Sequence, residues 1–158
     1  MSARVPGRIP SSPPSPEWLR EGYSALVVEH FERPRNVGGL DPVAPDVGST
    51  LVGAPEHGVI RLDLRIQAGV IQAARFKAMG CGVAIACSSF VAERLEGQPL
   101  AAAQALTRVD IVRALALPPV KIHCAVLAER AIQGAISDYQ RKQAPSAAGE
   151  APPPVRPA

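Results

Sequence analysis

Apolar and polar residues alternate along two neighbouring segments in the middle of the chain, residues 59–66 and 70–79. A period of two is typical of strands that bury one face and leave the other in water. The segment between them, residues 67–69, ends in glycine and predicts a tight turn, so the two strands should form an antiparallel hairpin. A further short strand is predicted at residues 48–52. The wet face of the first hairpin strand would carry Arg61, Asp63 and Arg65.

The hydrophobic period changes to about 3.6 residues after residue 80, which predicts helices in the second half of the chain. They are expected at residues 83–95, 99–105, 109–115 and, after the break at Pro118 and Pro119, 122–141. One earlier helix is predicted at residues 21–33, where Pro34 should end it. Because the strands come first and most helices follow, we expect an α+β fold with helices packed on one face of a small antiparallel sheet.

Proline is concentrated at both ends of the chain. Of 17 prolines, five precede Glu17 and five follow Gln143, and such segments cannot bury a core. We therefore expect a disordered Pro/Ser-rich extension at residues 1–17, a folded domain at residues 18–143, and a disordered Pro/Ala-rich tail at residues 144–158. The extension also has the basic and serine content of a transit peptide, but its prolines would disrupt an amphipathic helix.

Composition limits the classes of function. Hydrophobic residues make up 47% of the 158 residues, enough for a folded core. The net charge of +3 comes from basic residues scattered among acidic ones, which argues against nucleic acid binding, and no apolar run approaches the length of a membrane span. Three cysteines do not fit a secreted disulfide framework; they fit a reducing compartment. We therefore expect a cytoplasmic protein that binds neither nucleic acid nor membranes.

Three positions in the chain combine thiol or imidazole side chains with turn residues. His57 precedes the first hairpin strand, Cys81 follows the second, and His123 and Cys124 begin the last helix. None is specific alone, since an isolated histidine is usually a surface residue and a lone cysteine usually a small core residue. Strand ends and helix starts of a layered fold tend to meet at one edge, so we expect these side chains to converge. Together, thiolate and imidazole bind zinc or iron–sulfur clusters.

The three cysteines are expected to differ in role. Cys81 and Cys124 are both predicted at helix N-termini, where the helix dipole should lower the thiol pKa and favour the thiolate. Cys87 lies six residues after Cys81, a spacing that points it away from the same helix face. We interpret Cys87 as a core thiol, and it would replace a missing ligand only if the helix starts late.

Four segments, in order along the chain, resemble one protein family. They are YSALVVEHFERPRNVGG, VGAPEHG, ARFKAMGCGVAIACSS and LPPVKIHCAVLAERAI. They are similar to U-type iron–sulfur cluster assembly scaffolds (IscU and the N-terminal domain of NifU), and the resemblance covers residues 22–142. It implies a three-stranded sheet with a long C-terminal helix. It also implies a 2Fe–2S cluster, built from iron and from sulfur supplied by a cysteine desulfurase, then passed to apo-proteins by a scaffold without catalytic turnover of its own.

The resemblance implies a ligand set, with two departures from the family pattern. Cys81 matches the second family cysteine, Cys124 the third, which is the usual sulfur acceptor, and His123 the family histidine. His57 stands where the family has its first cysteine, and Val59 stands where it has an aspartate. Neutral imidazole in place of thiolate should raise the reduction potential of a cluster. Valine in place of a carboxylate should slow cluster release or weaken iron loading.

The resemblance also implies partners and leaves alternatives open. The segment matching the site bound by an Hsp70-type chaperone with its J-protein consists of Leu117, Pro118, Pro119, Val120 and Lys121; an extended Pro-Pro backbone suits such a groove. Lys121 would contact the chaperone or position the helix start. The alternative is a zinc-binding or regulatory paralogue, because two cysteines and two histidines also form a zinc site. A hydrolase using Cys124 with His123 is disfavoured because adjacent residues at a helix start should point in different directions.

Overall fold

The computed structural model describes residues 17–54 and 58–143, which form a three-stranded sheet and its covering helices. The elements are α1 (Glu17–Gly22), α2 (Ala25–Glu32), β1 (Val47–Ala54), β2 (Gly58–Gln67), β3 (Val70–Met79), α3 (Gly82–Leu95), α4 (Leu100–Ala105), α5 (Arg108–Leu115), a 3₁₀ turn (Pro119–Lys121) and α6 (Ile122–Gln143). The strands are antiparallel in the order β1-β2-β3, so the predicted α+β class is confirmed. The predicted extension and tail lie outside the described residues, apart from Glu17, which begins α1.

The β2–β3 hairpin agrees with its prediction, and the register shifts by one residue between Arg65 and Ile66, next to the turn. Ala68 and Gly69 both have positive φ, 54° and 75°, as a two-residue turn matching the twist of the strands requires. Gln67 pairs with Val70 to close the turn. The apolar residues of both strands consequently face the same side of the sheet.

The inner face of the sheet is covered by α3 and α6. Helix α6 packs on β1 and β2, and α3 packs on β3. Glycine permits the closest approach, because a side chain at Gly48 would collide with the Ala135 carbonyl oxygen and one at Gly134 would collide with Thr50. Among the described residues, no helix has both the length and the apolar character needed to cross a membrane.

The far end of α6 is held against the start of β1 by polar contacts. Lys142 donates hydrogen bonds to the carbonyl oxygens of Pro42 and Val47, each at 2.6 Å, and the backbone N–H of Ser49 donates to the Asp138 carboxylate at 2.9 Å. These bonds fix the position of α6 along the sheet. The N-terminal end of the helix, which carries Cys124, is fixed with it.

The outer face of the sheet is less exposed to solvent than predicted. Asp63 was expected in solvent, but it is fully buried, because the chain before β1 folds over this face. Its carboxylate accepts hydrogen bonds from the Leu40 N–H at 2.9 Å and the Ser49 hydroxyl at 2.6 Å, and it pairs with Arg61. Buried charges persist when they are paired and hydrogen-bonded in this way.

The same covering segment lies along the free edge of β3. The Phe76 N–H donates to the Asn36 carbonyl oxygen, and the Gly38 N–H donates to the Phe76 carbonyl oxygen. Near the other end of β3, Val70 forms a bridge with Pro99. Backbone groups at this edge are therefore partly paired by segments that are not strands.

The helix predicted at residues 21–33 is wrong as a single element. The structure has α1 ending at Gly22 and a separate α2 beginning after Ser24. The Ser24 hydroxyl accepts from the Val27 N–H at 3.2 Å, as an N-cap does, and donates to the Leu115 carbonyl oxygen at 2.7 Å. A side chain that caps one helix and binds another favours a break where apolar periodicity alone favours continuity.

Candidate metal centre

Cys81 lies between the end of β3 and the start of α3. Strand β3 ends at Met79, Gly80 turns the chain with φ of 137°, and Cys81 is the N-cap of α3. Gly82 follows it against Phe31, and a side chain at Gly82 would approach the Phe31 ring to 2.8 Å. The GCG motif thus supplies a turn and a close contact on either side of a half-buried thiol.

Cys124 lies beside Cys81, in the first turn of α6. It is the third residue of α6 and is 0% exposed. Its Sγ lies 3.7 Å from the Sγ of Cys81, although the two residues are 43 positions apart in the chain. The expected convergence of a strand end with a helix start is confirmed for these two thiols.

His123 lies beside Cys124 rather than pointing away from it. Its Nε2 is 3.6 Å from the Cys124 Sγ, so the prediction that adjacent side chains point in different directions is wrong here. Lys121, in the short 3₁₀ turn before α6, is near enough for its charge to favour both thiolates. The structure therefore brings together two thiols, an imidazole and an ammonium group.

His57 lies outside the described residues, so its predicted role as a ligand stays a prediction. Gly58, which follows it, is described, and a side chain there would meet the Met79 carbonyl oxygen at 2.8 Å and the Gly80 Cα at 3.4 Å. Val59 is half-buried and pairs with Met79. Within residues 17–54 and 58–143, no group of three or more His, Cys, Asp or Glu side chains is arranged to hold a metal ion.

The pKa of the Cys81 thiol is lowered from its ordinary value. Partial burial is the largest influence and raises it, but several smaller influences together outweigh burial. They are the N–H groups of Ala84 and Val83 at the start of α3, the neighbouring Cys124 thiol and the charge of Lys121. The N–H groups favour the thiolate even though no capping hydrogen bond to the sulfur forms. Cys81 therefore behaves as its helix-start position predicts.

The pKa of the Cys124 thiol is raised to about 12, contrary to the prediction. Burial is the largest cause, followed by the charge of and hydrogen bond with Cys81, and the charge of Lys121 opposes them only in part. Desolvation of a fully buried thiol outweighs what a helix N-terminus provides. The high pKa also argues against a free Cys124 nucleophile.

Cys87 is a core thiol, as the helical spacing indicates. It is 0% exposed among the apolar residues between sheet and helices. Burial raises the pKa of its thiol, and the negative charges of Cys124 and Cys81 raise it further. Cys87 is therefore near the other two thiols but stays protonated within the core.

The predicted chaperone segment is only half extended. Pro118 has extended backbone angles, but residues Pro119–Lys121 form a 3₁₀ turn, in which the Lys121 N–H donates to the Pro118 carbonyl oxygen. Leu117 is buried at 7% exposure, whereas Val120 is 71% exposed. The turn would have to open before the whole segment could bind in an extended form.

The ligand types of the described side chains fit zinc or an iron–sulfur cluster, although their present arrangement does not hold a metal ion. Cys81 and Cys124 supply soft sulfur ligands, and His123 supplies a neutral nitrogen, which are the ligand types that these ions and clusters take. A bound cation would deprotonate the Cys124 thiol despite its raised pKa, since metal binding displaces the proton.

The contact of Phe31 with Gly82 was not predicted from the sequence. The only signal for it was the glycine after Cys81.

Curated relatives of the chain match it over most of its length. It is 51% identical over 123 residues to the iron-sulfur cluster assembly scaffold protein IscU of Escherichia coli strain K12, covering 77% of this chain and 96% of the relative. IscU of Azotobacter vinelandii is 50% identical over 123 residues with the same coverage. Iron sulfur cluster assembly protein 1 of Trachipleistophora hominis is 48% identical over 124 residues, covering 78% of this chain and 90% of that protein.

A solved structure and a family profile agree with these relatives. The crystal structure of a nitrogen-fixing NifU-like protein (N-terminal) from Brucella abortus superposes with a TM-score of 0.58 at 16% identity, covering 75% of this chain and 94% of that one. This likeness shows the fold. The profile described as the NifU-like N terminal domain matches residues 22–146. With 51% identity to IscU over 123 aligned residues and the family profile matching residues 22–146, the chain belongs to the NifU-like N-terminal domain family.

Proposed function

We propose that this chain is an iron–sulfur cluster assembly scaffold. It holds a 2Fe–2S cluster while the cluster is built from iron and sulfur, and it passes the cluster to apo-proteins without catalytic turnover of its own. One observation carries the proposal: Cys81 and Cys124 place their sulfur atoms 3.7 Å apart, beside His123, in a chain 51% identical to a scaffold protein. The cluster and its components are cargo in this account.

Each site residue has a stated role in this proposal. Cys81, Cys124 and His123 ligate the cluster, and His57 supplies the fourth ligand. Cys124 is the final acceptor of the sulfur that a cysteine desulfurase delivers. Because Cys124 is 0% exposed and Cys81 is half-buried, Cys81 is the thiol that a sulfur donor meets first.

Anaerobic reconstitution with ferrous iron and sulfide tests the proposal. We expect visible absorption from a cluster with about two irons and two sulfides per chain. Cys124→Ser should lose this absorption. Cys87→Ala is the matched control, since it removes a thiol that lies in the core and should leave the absorption intact. A colourless protein that holds zinc under every condition would instead identify a zinc-binding paralogue.

The lability of the cluster depends on Val59 in this proposal. Val59→Asp restores the carboxylate of the family pattern at a half-buried strand position. We expect the variant to transfer its cluster to an apo-ferredoxin faster than the parent chain does. His57→Cys, made separately, should lower the reduction potential, because it replaces imidazole by thiolate. Equal transfer rates for Val59→Asp and the parent would contradict the lability argument.

The partners follow from the same proposal, and a surface substitution tests one of them. We expect an Hsp70-type chaperone, with its J-protein, to bind residues 117–121 after the 3₁₀ turn opens. Val120→Glu should weaken this binding without affecting the fold, because Val120 is 71% exposed. Val43→Glu is a matched control at a residue that is 80% exposed and far along the chain. Equal chaperone affinity of the two variants would remove Val120 from the interface.

A further inference from the structure

The two thiols of the site are close enough to react with each other. We propose that Cys81 and Cys124 act as a resolving pair, in which Cys81 releases sulfide from a persulfide on Cys124 and leaves a Cys81–Cys124 disulfide. The sulfane sulfur comes from the donor of the proposed function, and the inference rests on that function in this respect alone. The thiol pair itself supplies the two electrons for each sulfide, and an external dithiol then reduces the pair again.

The step balances in atoms and electrons. A persulfide on one cysteine has an inner Sγ and an outer sulfane sulfur. The thiolate of the other cysteine attacks the inner Sγ, so the Sγ–Sγ bond forms and the bond to the outer sulfur breaks. The outer sulfur leaves as hydrosulfide with the bonding electron pair and the proton it carried. Two thiol sulfurs are oxidised to a disulfide while the sulfane sulfur is reduced, and an external dithiol then resets the pair.

The position of the attacking sulfur makes this outcome accessible beside simple sulfur exchange. Attack on the outer sulfur would only move the persulfide from one cysteine to the other. The structure places the Sγ of Cys81 3.7 Å from the Sγ of Cys124, which is the inner sulfur when Cys124 carries the persulfide.

The two thiols lie on helices that pack on each other. A disulfide needs an S–S length of about 2.05 Å, so the sulfurs must approach by a side-chain rotation. Cys81 is an N-cap with extended backbone angles, φ −77° and ψ 162°, and its side chain rotates outside the regular part of α3. Cys124 is held within α6, and α3 and α6 pack directly on each other. The pair is therefore positioned by two rigid elements, with the adjustable partner at the edge.

Cys87 provides an internal comparison. It is the remaining cysteine of the three, and it is fully buried among apolar side chains of the core. It should take no part in the reaction. After the parent chain has reacted, alkylation under denaturing conditions should find one free thiol, Cys87, where the reduced chain has three.

The test uses the full chain and a low-molecular-weight hydropersulfide as donor, followed by rapid desalting under anaerobic conditions. We expect the parent chain to release about one sulfide per sulfane sulfur loaded and to lose two alkylatable thiols. Cys81→Ser should instead retain the mass of one added sulfur and release sulfide at least about tenfold more slowly, since an intramolecular partner is lost. Serine is a good N-cap, so this variant should fold. Cys124→Ser should accumulate a persulfide on Cys81, and Cys87→Ala should match the parent.

Three results would overturn the inference. One is a parent chain that keeps its persulfide until an external thiol is added. Another is a loss of sulfide release in Cys87→Ala rather than in Cys81→Ser. The third is a release rate that rises with protein concentration, which would indicate reaction between chains. Reconstitution with sulfide supplied directly separates this inference from the proposed function: if only the inference fails, clusters still form from free sulfide, and if the scaffold function fails, they do not.

Discussion

Two helix starts meet at the site, and the same residue type behaves differently at each. Cys81 precedes α3 as its N-cap and is half-buried, and its thiol pKa is lowered. Cys124 lies within the first turn of α6 at 0% exposure, and its thiol pKa is raised to about 12. A helix N-terminus therefore favours a thiolate only where the sulfur keeps some contact with water and faces the free N–H groups.

The difference in thiol pKa gives Cys81 and Cys124 different roles. The α3 start presents a reactive thiol at the edge of the molecule, and the α6 start holds a protonated thiol 3.7 Å behind it. Cargo that binds both must first displace the proton of Cys124. Loading should therefore weaken as the pH falls, because protons compete with the metal for the thiols.

The largest expected effect is the difference in alkylation rate between the two thiols. A rise in the pKa of Cys124 from 9.0 to about 12 lowers its thiolate fraction at neutral pH roughly a thousandfold relative to an ordinary cysteine. Iodoacetamide at neutral pH should label Cys81 first, and peptide mass spectrometry would measure the ratio. The rate at Cys81 should rise with pH with a midpoint below pH 9.0, because its pKa is lowered. Equal labelling rates for the two thiols would contradict the difference in their pKa values.

A smaller effect is expected from filling the space beside Cys81. Gly82→Ala places a Cβ 2.8 Å from the Phe31 ring, and overpacking of this kind costs about 1–3 kcal/mol of unfolding free energy. Urea unfolding would measure it, and the thiol reactivity of Cys81 should change with it. Gly22→Ala is the control, because nothing lies within 4 Å of a side chain there. A Gly82→Ala chain as stable as this control would show that the GCG turn is not tightly packed.

Ser24 links the elements that lead to the two helix starts. It caps α2, which packs on α3, and it binds the last residue of α5, the helix that precedes α6. Ser24→Ala removes the N-cap and leaves the Leu115 carbonyl oxygen without this donor. We expect a loss of about 1 kcal/mol in thermal or urea unfolding. Ser24→Thr keeps both bonds and should recover most of the loss. An alanine variant of unchanged stability would mean that packing alone holds α2 in place.

The smallest effect is expected from the charge that both thiols share. Lys121 lowers the pKa of Cys81 and of Cys124, although it is not the largest influence on either. Lys121→Met should therefore shift the pH profile of Cys81 alkylation to higher pH, by less than one unit. Lys77→Met, at an exposed strand position, is the control. A profile that does not move would leave Lys121 with no electrostatic role at the site.

Local features of the sequence predicted the elements that depend on local patterns. Residues 70–79 form the predicted strand to the residue, because alternation and an adjacent turn agree. Strand β1 is longer than the predicted strand at residues 48–52. Gly48 and Gly53 weaken its hydrophobic pattern but not its pairing with β2. The tendency of strand ends and helix starts to meet at one edge predicted the convergence of Cys81 with Cys124, which the structure confirms.

Features that depend on distant parts of the chain were not predictable in the same way. Asp63 looks like a wet strand residue until residues 36–46 fold over it. The pKa of Cys124 depends on burial by the sheet and α3, which its position in α6 does not reveal. Ser24 interrupts a continuous apolar stripe because of a bond to a residue 91 positions away.

The covered edge of β3 bears on how readily the protein aggregates in a crowded cell. Asn36 and Gly38 pair with Phe76 in this strand, and Pro99 pairs with its first residue. An uncovered strand edge is a template for pairing with other chains, and proline cannot extend such a ladder. If residues 36–38 separate from β3, several backbone groups of the sheet become available to a neighbouring molecule. A scaffold that opens to pass on its cargo would then risk aggregation at the edge of its own sheet, and the covering segment keeps that risk low while it stays in place.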